Sequence, residues 1–223
     1  METIQGKKSV YLDKDEFRKI IAPYRQVTVD IGTGDGKFVY ELAKKSPGSF
    51  FIGLDAERRN LVEYSTKALK KTQKGGSANL LYAIANAEDI PGELSSLARF
   101  IWIVLPWGSL LRGFVLAQDN LLNNIVKIAA PNAILRAVVT YELRYEAVEI
   151  EKLGLPDLSL DYIDEFLAPS FEQRGIAIIE RKFLTNRELK DIASTWAKRL
   201  GFGRERTILY MEAVINPLNH NSL

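Results

Sequence analysis

Three glycines on alternate positions follow an apolar, β-branched run that holds an acid: Val27-Thr28-Val29-Asp30-Ile31-Gly32-Thr33-Gly34-Asp35-Gly36. Beyond them, Lys37 to Lys45 carries helical spacing. A strand that turns this sharply into a helix needs residues without a Cβ, because the backbone must open into left-handed conformations and lie close to what it holds. A second strand, Phe50-Phe51-Ile52-Gly53-Leu54-Asp55, ends in a carboxylate 19 residues past Gly36. An acid at that distance accepts hydrogen bonds from ribose hydroxyls of a nucleotide-like ligand. The glycines alone also fit a tight turn in some other α/β protein; Asp55 weighs against that reading.

The glycine spacing separates cofactor classes. Dinucleotide sites favour G-x-G-x-x-G, whose third glycine brings a helix N-terminus up to a pyrophosphate. This chain reads Asp-x-Gly-x-Gly-x-Gly, the form typical of S-adenosylmethionine (SAM) methyltransferases, whose ligand carries no phosphate. Asp30, Gly32, Gly34, Gly36 and Asp55 are therefore the first candidate SAM-binding residues.

Strand-like and helix-like segments alternate throughout. Strands are expected at Val27–Gly32, Ser49–Asp55, Asn79–Ala85, Phe100–Leu105, Ala133–Thr140, Gly175–Phe183 and Thr207–Ile215. Helical patterns cover Lys37–Lys45, Glu57–Lys71, Pro91–Leu97, Ala117–Ala129, Ser159–Arg174 and Asn186–Arg199. Such alternation predicts an α/β, Rossmann-like fold: a mostly parallel seven-stranded sheet, last strand antiparallel, with helices on both faces. Ile4–Leu12 reads as a short hairpin or arm, followed by a helix capped by Asp13. The length of 223 residues suits one domain, with residues 1–25 as arm and helix and residues 141–160 and 184–206 as functional insertions. Asn216–Leu223 is expected to fray.

Composition excludes several chemistries. There is no cysteine, and His220, the only histidine, lies in a polar tail. That removes disulfides, Cys/His zinc sites, thiol nucleophiles and a Ser-His-Asp triad, and no metal is expected. The most apolar stretch, Phe100 to Leu116, is broken by Pro106, Gly108 and Arg112, so no membrane span is expected. The N-terminus has no apolar signal region, so an unexported, cytoplasmic protein is expected.

Net charge is near balance, but its distribution is not. Glu57 to Gly76 sets Arg58, Arg59, Lys67, Lys70, Lys71 and Lys74 against Glu57 and Glu63. Trp196 to Arg206 sets Lys198, Arg199, Arg204 and Arg206 against Glu205. Either run alone reads as ordinary solvated helix surface; together, opposite the acidic Glu146–Glu165 stretch, they suggest a face for a polyanion.

Three further segments stand where the chemistry of such a fold gathers. Asn86-Ala87-Glu88-Asp89 follows the third strand, either beside the adenine of SAM or as a helix cap. Leu105-Pro106-Trp107-Gly108-Ser109 follows the fourth; its Trp107 is either a core residue or a stacking face for a base. Trp196, beside four basic residues, either anchors its helix or faces the same base.

These residues resemble the bacterial 16S rRNA (adenine(1408)-N(1))-methyltransferases, the kanamycin–apramycin resistance family. The resemblance runs through Gly6-Lys7-Lys8, Asp30–Gly36, Phe51–Asp55, Lys74-Gly75-Gly76, Pro106-Trp107-Gly108, Thr140-Tyr141, Gly154-Leu155-Pro156, Trp196-Ala197-Lys198-Arg199-Leu200 and Phe202-Gly203-Arg204. It implies that Ala87, Glu88, Leu105, Ser109 and Thr195 join Asp30, Gly32 and Asp55 around SAM. It implies that Trp107 and Trp196 sandwich a flipped adenine, and that Glu146 holds the distorted RNA. Lys67, Lys70, Lys71, Arg199, Arg204 and Arg206 would dock on the RNA backbone, with Lys74 and Lys198 in the same basic runs. One departure is Leu153, where a family member carries a basic residue before Gly-Leu-Pro. The implied partner is 16S rRNA within the 30S subunit, met by a monomer. The alternatives are a tRNA guanine-N7 methyltransferase, against which stands the lack of an acidic Pro-Asp-Pro-Trp motif after the fourth strand, and a SAM- or RNA-binding module without catalysis.

Overall fold

The computed structural model describes residues 1–216; of the tail expected to fray, Asn216 is instead held, its amide donating to the Gly175 carbonyl at 2.8 Å, and the rest, with His220, lies in residues 217–223, outside the described part. Nine strands form one mixed sheet in the order β2-β1-β5-β4-β3-β6-β7-β9-β8. They are β1 (Glu2–Gln5), β2 (Lys8–Tyr11), β3 (Val27–Ile31), β4 (Phe50–Asp55), β5 (Leu80–Ile84), β6 (Ala98–Val104), β7 (Ala129–Thr140), β8 (Ile176–Leu184) and β9 (Ile208–Ile215). Seven of these are the expected strands. The other two are the N-terminal hairpin, which extends the sheet because β1 pairs antiparallel with the β5 edge (Thr3 opposite Ala83). Ser65 pins this hairpin, its Oγ accepting from the Gly6 amide and donating to the Ile4 carbonyl, each at 2.8 Å.

β3 is buried along its whole length, as a central parallel strand covered on both faces should be. It pairs in parallel with β4 on one side and β6 on the other. The chain thus reverses its direction of travel across the sheet between these neighbours, and the crevice beyond their C-terminal ends is the place where open α/β sheets bind ligands. The expected antiparallel final strand is β9, which runs against both β7 and β8.

The helices are α1 (Lys14–Ile21), α2 (Lys37–Lys45), α3 (Arg58–Ala68), α4 (Gly108–Val115), α5 (Asp119–Ile128) and α6 (Leu143–Leu153), then α7 (Leu160–Tyr162), α8 (Ala168–Glu172), α9 (Asn186–Asp191) and α10 (Thr195–Gly201). Asp13 caps α1 in a full capping box with Glu16. A π-helical turn, Ile163–Leu167, joins α7 to α8.

Three expectations need correction. Pro91–Leu97 forms only a 3₁₀ turn, Gly92–Leu94. Asn186–Arg199 is two helices, because Ile192 leaves α9 in extended geometry and Ser194 caps α10. The segment after β6 hides a helix, α4, which starts at Gly108 without a capping side chain.

Candidate active site

Gly32, Gly34 and Gly36 all adopt positive φ (+71°, +60° and +79°), the left-handed conformations the motif predicts. Asp55 is turned into the loop: one carboxyl oxygen accepts from the Gly34 amide at 2.9 Å, the other from the Glu57 amide at 2.9 Å. Asp30 is fully buried. Its Oδ2 accepts from the Thr33 hydroxyl at 2.5 Å, while Oδ1 has no partner. Burial pushes this carboxyl up to about 7; the Thr33 hydrogen bond opposes the shift and the charge of Asp55 adds to it. An unpaired buried acceptor beside a glycine loop calls for a donor from the ligand. The ammonium of SAM is such a donor, and the Asp55 carboxylate, fixed against the same loop, offers further acceptor capacity beside it. The residues fit SAM.

After β6 the chain is forced outward. Leu105 takes φ +52°, unusual for a branched side chain, with its amide tied to the Val138 carbonyl at 2.7 Å; Gly108 follows at φ +58°. Trp107, between them, is 56% exposed, and Trp196 in the first turn of α10 is 57% exposed. Both line one pocket of about 310 Å³, together with Leu105, Pro106, Thr140, Glu146, Leu200 and Arg206. That exposure removes the core reading for either residue. Trp102 is the tryptophan that packs, edge-on to Phe38 at 5.1 Å and under the Arg136 guanidinium at 5.4 Å.

Glu146 and Arg206 form an ion pair in this pocket, both side chains largely buried. The other Glu146 oxygen accepts from the Glu142 amide at 2.8 Å, and α6 kinks at Glu146 (φ −126°, ψ 30°). Arg206, expected on the RNA backbone, is thus held by Glu146. Thr195 reaches the glycine loop, its hydroxyl donating to Asp35 Oδ2 at 2.6 Å. Ala87 and Glu88 lie in a turn in which Asn86 Oδ1 accepts from the Glu88 amide at 3.1 Å. Only the 3₁₀ turn Gly92–Leu94 follows, with Pro91 and neither Glu88 nor Asp89 at its cap position, so the capping alternative falls. Ser109 is exposed in the first turn of α4.

The basic residues gather on structured supports. Lys70, Lys71 and Lys74 are exposed around the 3₁₀ turn Thr72–Lys74. Gly76 closes that loop so tightly that a Cβ would stand 1.5 Å from the Lys70 carbonyl oxygen. Lys67 is engaged locally, with Glu63 at 2.6 Å and over the Tyr64 ring at 4.0 Å. Arg199 lies over the Trp196 ring at 5.6 Å, and Lys198 is exposed beside it.

A family model described as NpmA, 16S rRNA (adenine(1408)-N(1))-methyltransferase, matches residues 2–215. The chain belongs to this family. It is 40% identical over 208 residues to the 16S rRNA (adenine(1408)-N(1))-methyltransferase of Escherichia coli, covering 93% of this chain and 95% of that one. Among solved structures, the 16S rRNA methyltransferase KamB superposes with a TM-score of 0.89 at 30% identity, over 97% of this chain and 100% of KamB. A tryptophan-to-alanine variant of the Catenulisporales acidiphilia enzyme, solved with its cosubstrate SAM, gives 0.89 at 29% identity over the whole of both chains.

Against the family pattern, Leu153 packs on the main core rather than facing solvent, and its carbonyl accepts from Arg112 Nε at 3.0 Å. Motif reading missed Tyr82, whose hydroxyl supports the glycine loop, and Asp35, the partner of Thr195. It also left Tyr145 without a role. The guanidinium groups of Arg144, Arg204 and Arg206 all lie within 5.1–5.3 Å of its ring. The arginine-rich end of the Trp196 segment was the only local signal for that cluster.

Proposed function

We propose that this protein methylates N1 of adenine 1408 in 16S rRNA, acting as a cytoplasmic monomer on the 30S subunit and so protecting it from kanamycin and apramycin. The observation that carries the reading is the pair Trp107 and Trp196: two large, half-exposed rings lining one pocket beside the glycine loop. Enzymes that act on a base in folded RNA must take it out of the stack and hold its plane, and aromatic faces do so without reading sequence.

Bound SAM supplies a methyl group already activated by its sulfonium. Adenine N1 carries an available lone pair, so no residue is needed to deprotonate the nucleophile, in keeping with a pocket without His or Cys. The protein's contribution is orientation, which can supply up to roughly 7–11 kcal/mol. As N1 takes the methyl, positive charge moves onto the ring, and the indole faces of Trp107 and Trp196 attract it by about 0.5–2 kcal/mol each. The Glu146–Arg206 ion pair, tied to the Glu142 amide, gives the pocket a fixed polar wall beside the two rings. Lys70, Lys71, Lys74, Lys198, Arg199 and Arg204 present the exposed cations for the RNA backbone.

The test is transfer of label from tritiated SAM to 30S subunits, free 16S rRNA and tRNA in separate reactions, with the product mapped by reverse transcription. A stop at adenine 1408 in 30S subunits is the expected result. Label confined to tRNA, or on a base other than adenine, would overturn the assignment.

A further inference from the structure

We propose that Asp35 is a positioning residue: by accepting the Thr195 hydroxyl, it latches α10 to the glycine loop and sets where Trp196 stands. The proposal rests on the reading that Trp196 stacks the target adenine.

Asp35 lies between Gly34 and Gly36, and both its carboxyl oxygens are engaged. Oδ1 accepts from the Lys37 amide at 3.0 Å, which fixes the carboxyl against the first turn of α2. Oδ2 accepts from Thr195 Oγ1 at 2.6 Å, across 160 residues of sequence. Thr195 is the first residue of α10 and the immediate neighbour of Trp196.

The rest of α10 is held from the other side. Ala197 is fully buried in a cluster with Val138, Leu189 and Ile208. Gly201 approaches α9 so closely that a Cβ would meet the Asn186 carbonyl oxygen at 3.0 Å. A helix of seven residues has little stability of its own, so its attachments decide its position. The attachment on the cofactor side is the Asp35–Thr195 hydrogen bond. The loop that must be ordered to hold SAM is therefore the loop that holds one wall of the base pocket. Occupancy of the loop by SAM would thus bear, through this one hydrogen bond, on where Trp196 stands.

The test compares Thr195→Val, which keeps the side-chain shape and removes the hydroxyl, with Thr195→Ser, which keeps the hydroxyl, and with Asp35→Ala and the double variant. In single-turnover methylation of 30S subunits at saturating SAM, Thr195→Val and Asp35→Ala should each lose about tenfold to a hundredfold in rate, the range for a hydrogen bond to a charged group. The double variant should lose no more than either single one, and Thr195→Ser should stay within about threefold of the parent protein. A second readout needs no RNA. In a Trp107→Phe background, S-adenosylhomocysteine should shield Trp196 from acrylamide quenching; the shielding should vanish in Thr195→Val while the ligand's Kd, by calorimetry, changes less than about threefold. Additive losses in the double variant, or a Kd rise in Thr195→Val that matches its rate loss, would make Thr195 a direct cofactor contact and overturn the latch. Quenching that does not respond to the latch would overturn it too. Because quenching and Kd are independent of RNA, an error in the target assignment alone would leave those two results standing.

Discussion

The Tyr82 hydroxyl donates to the Gly36 carbonyl at 2.7 Å, and the edge of the same ring stands 2.4 Å from where a Cβ on Gly36 would be. Tyr82 is thus both the floor and a brace of the cofactor loop, although it lies on β5, a strand no glycine motif mentions. Gly36 has two reasons to be glycine: a φ of +79° and this close approach.

Gly36→Ala should therefore weaken SAM binding by at least about tenfold, because strain and overlap together cost on the order of 2 kcal/mol or more. Tyr82→Phe removes only the hydroxyl. The Gly36 carbonyl still accepts from the Tyr40 amide at 3.1 Å. Its cost should stay near 1 kcal/mol of stability, with SAM affinity little changed. Thermal melting and calorimetry on both variants check this; equal SAM Kd in Gly36→Ala and the parent protein would refute the packing argument.

Asp30 makes stability depend on pH. Its carboxyl is raised from the usual 3.8 to about 7 in the folded protein, chiefly by burial. Between those values the unfolded chain has released the proton and the folded one has kept it. Ligand-free stability should therefore fall as pH rises from about 4 to 7 and level off above, by an amount on the order of a few kcal/mol. Asp30→Asn should flatten that part of the profile and weaken SAM binding at the same time. Melting temperatures of the ligand-free protein across pH 4–8, corrected by the variant, measure it; an unchanged slope in Asp30→Asn would assign the effect to other groups.

Much of the site was legible because its signals are local. The glycine loop, Asp55 and the strand before each announce themselves within a few residues, and β-branched runs mark the buried parallel strands. What was not legible depends on partners far away in sequence. The hairpin of β1 and β2 joins the sheet only because β5 offers an open edge. α4 went unseen because its apolar residues continue those of β6 and Gly108 gives no capping signal. The pairs Arg206–Glu146 and Thr195–Asp35 join residues 60 and 160 positions apart, and nothing local to either member reveals the other.

Trp107 and Trp196 should matter for transfer and not for the cofactor. Stacking of a base on an aromatic face contributes about 1–3 kcal/mol, so Trp107→Ala and Trp196→Ala should each lower the methylation rate roughly tenfold to a hundredfold. The Phe substitutions should recover part of that loss, since a smaller ring still offers a face. SAM affinity should change little in all four, because both half-exposed rings line the base pocket and neither makes a hydrogen bond to the glycine loop. Single-turnover rates beside calorimetric Kd values separate the two effects; full activity in either alanine variant would remove that residue from the base clamp.

The lysine loop offers the reverse separation. Gly76 lies against the Lys70 carbonyl, Gly75 takes φ +87°, and the Tyr40 hydroxyl donates to the Gly75 carbonyl at 2.5 Å. These interactions give Lys70, Lys71 and Lys74 a fixed presentation rather than leaving them on a flexible tether. Gly76→Ala cannot be accommodated without rebuilding the turn, because its Cβ would meet backbone and not a movable side chain. It should therefore weaken 30S binding while all three charges remain in the sequence. Replacing the lysines with Ala removes the charges and keeps the turn. For that triple variant the slope of log affinity against log salt should flatten by up to about three, one for each phosphate that is no longer neutralised. Gly76→Ala should instead shift affinity by less than the triple variant, with SAM affinity unchanged in both. Titration of labelled 30S subunits over a range of salt concentrations distinguishes these outcomes. If Gly76→Ala binds 30S subunits as tightly as the parent protein, the placement of the lysines is unimportant and their charge alone does the docking.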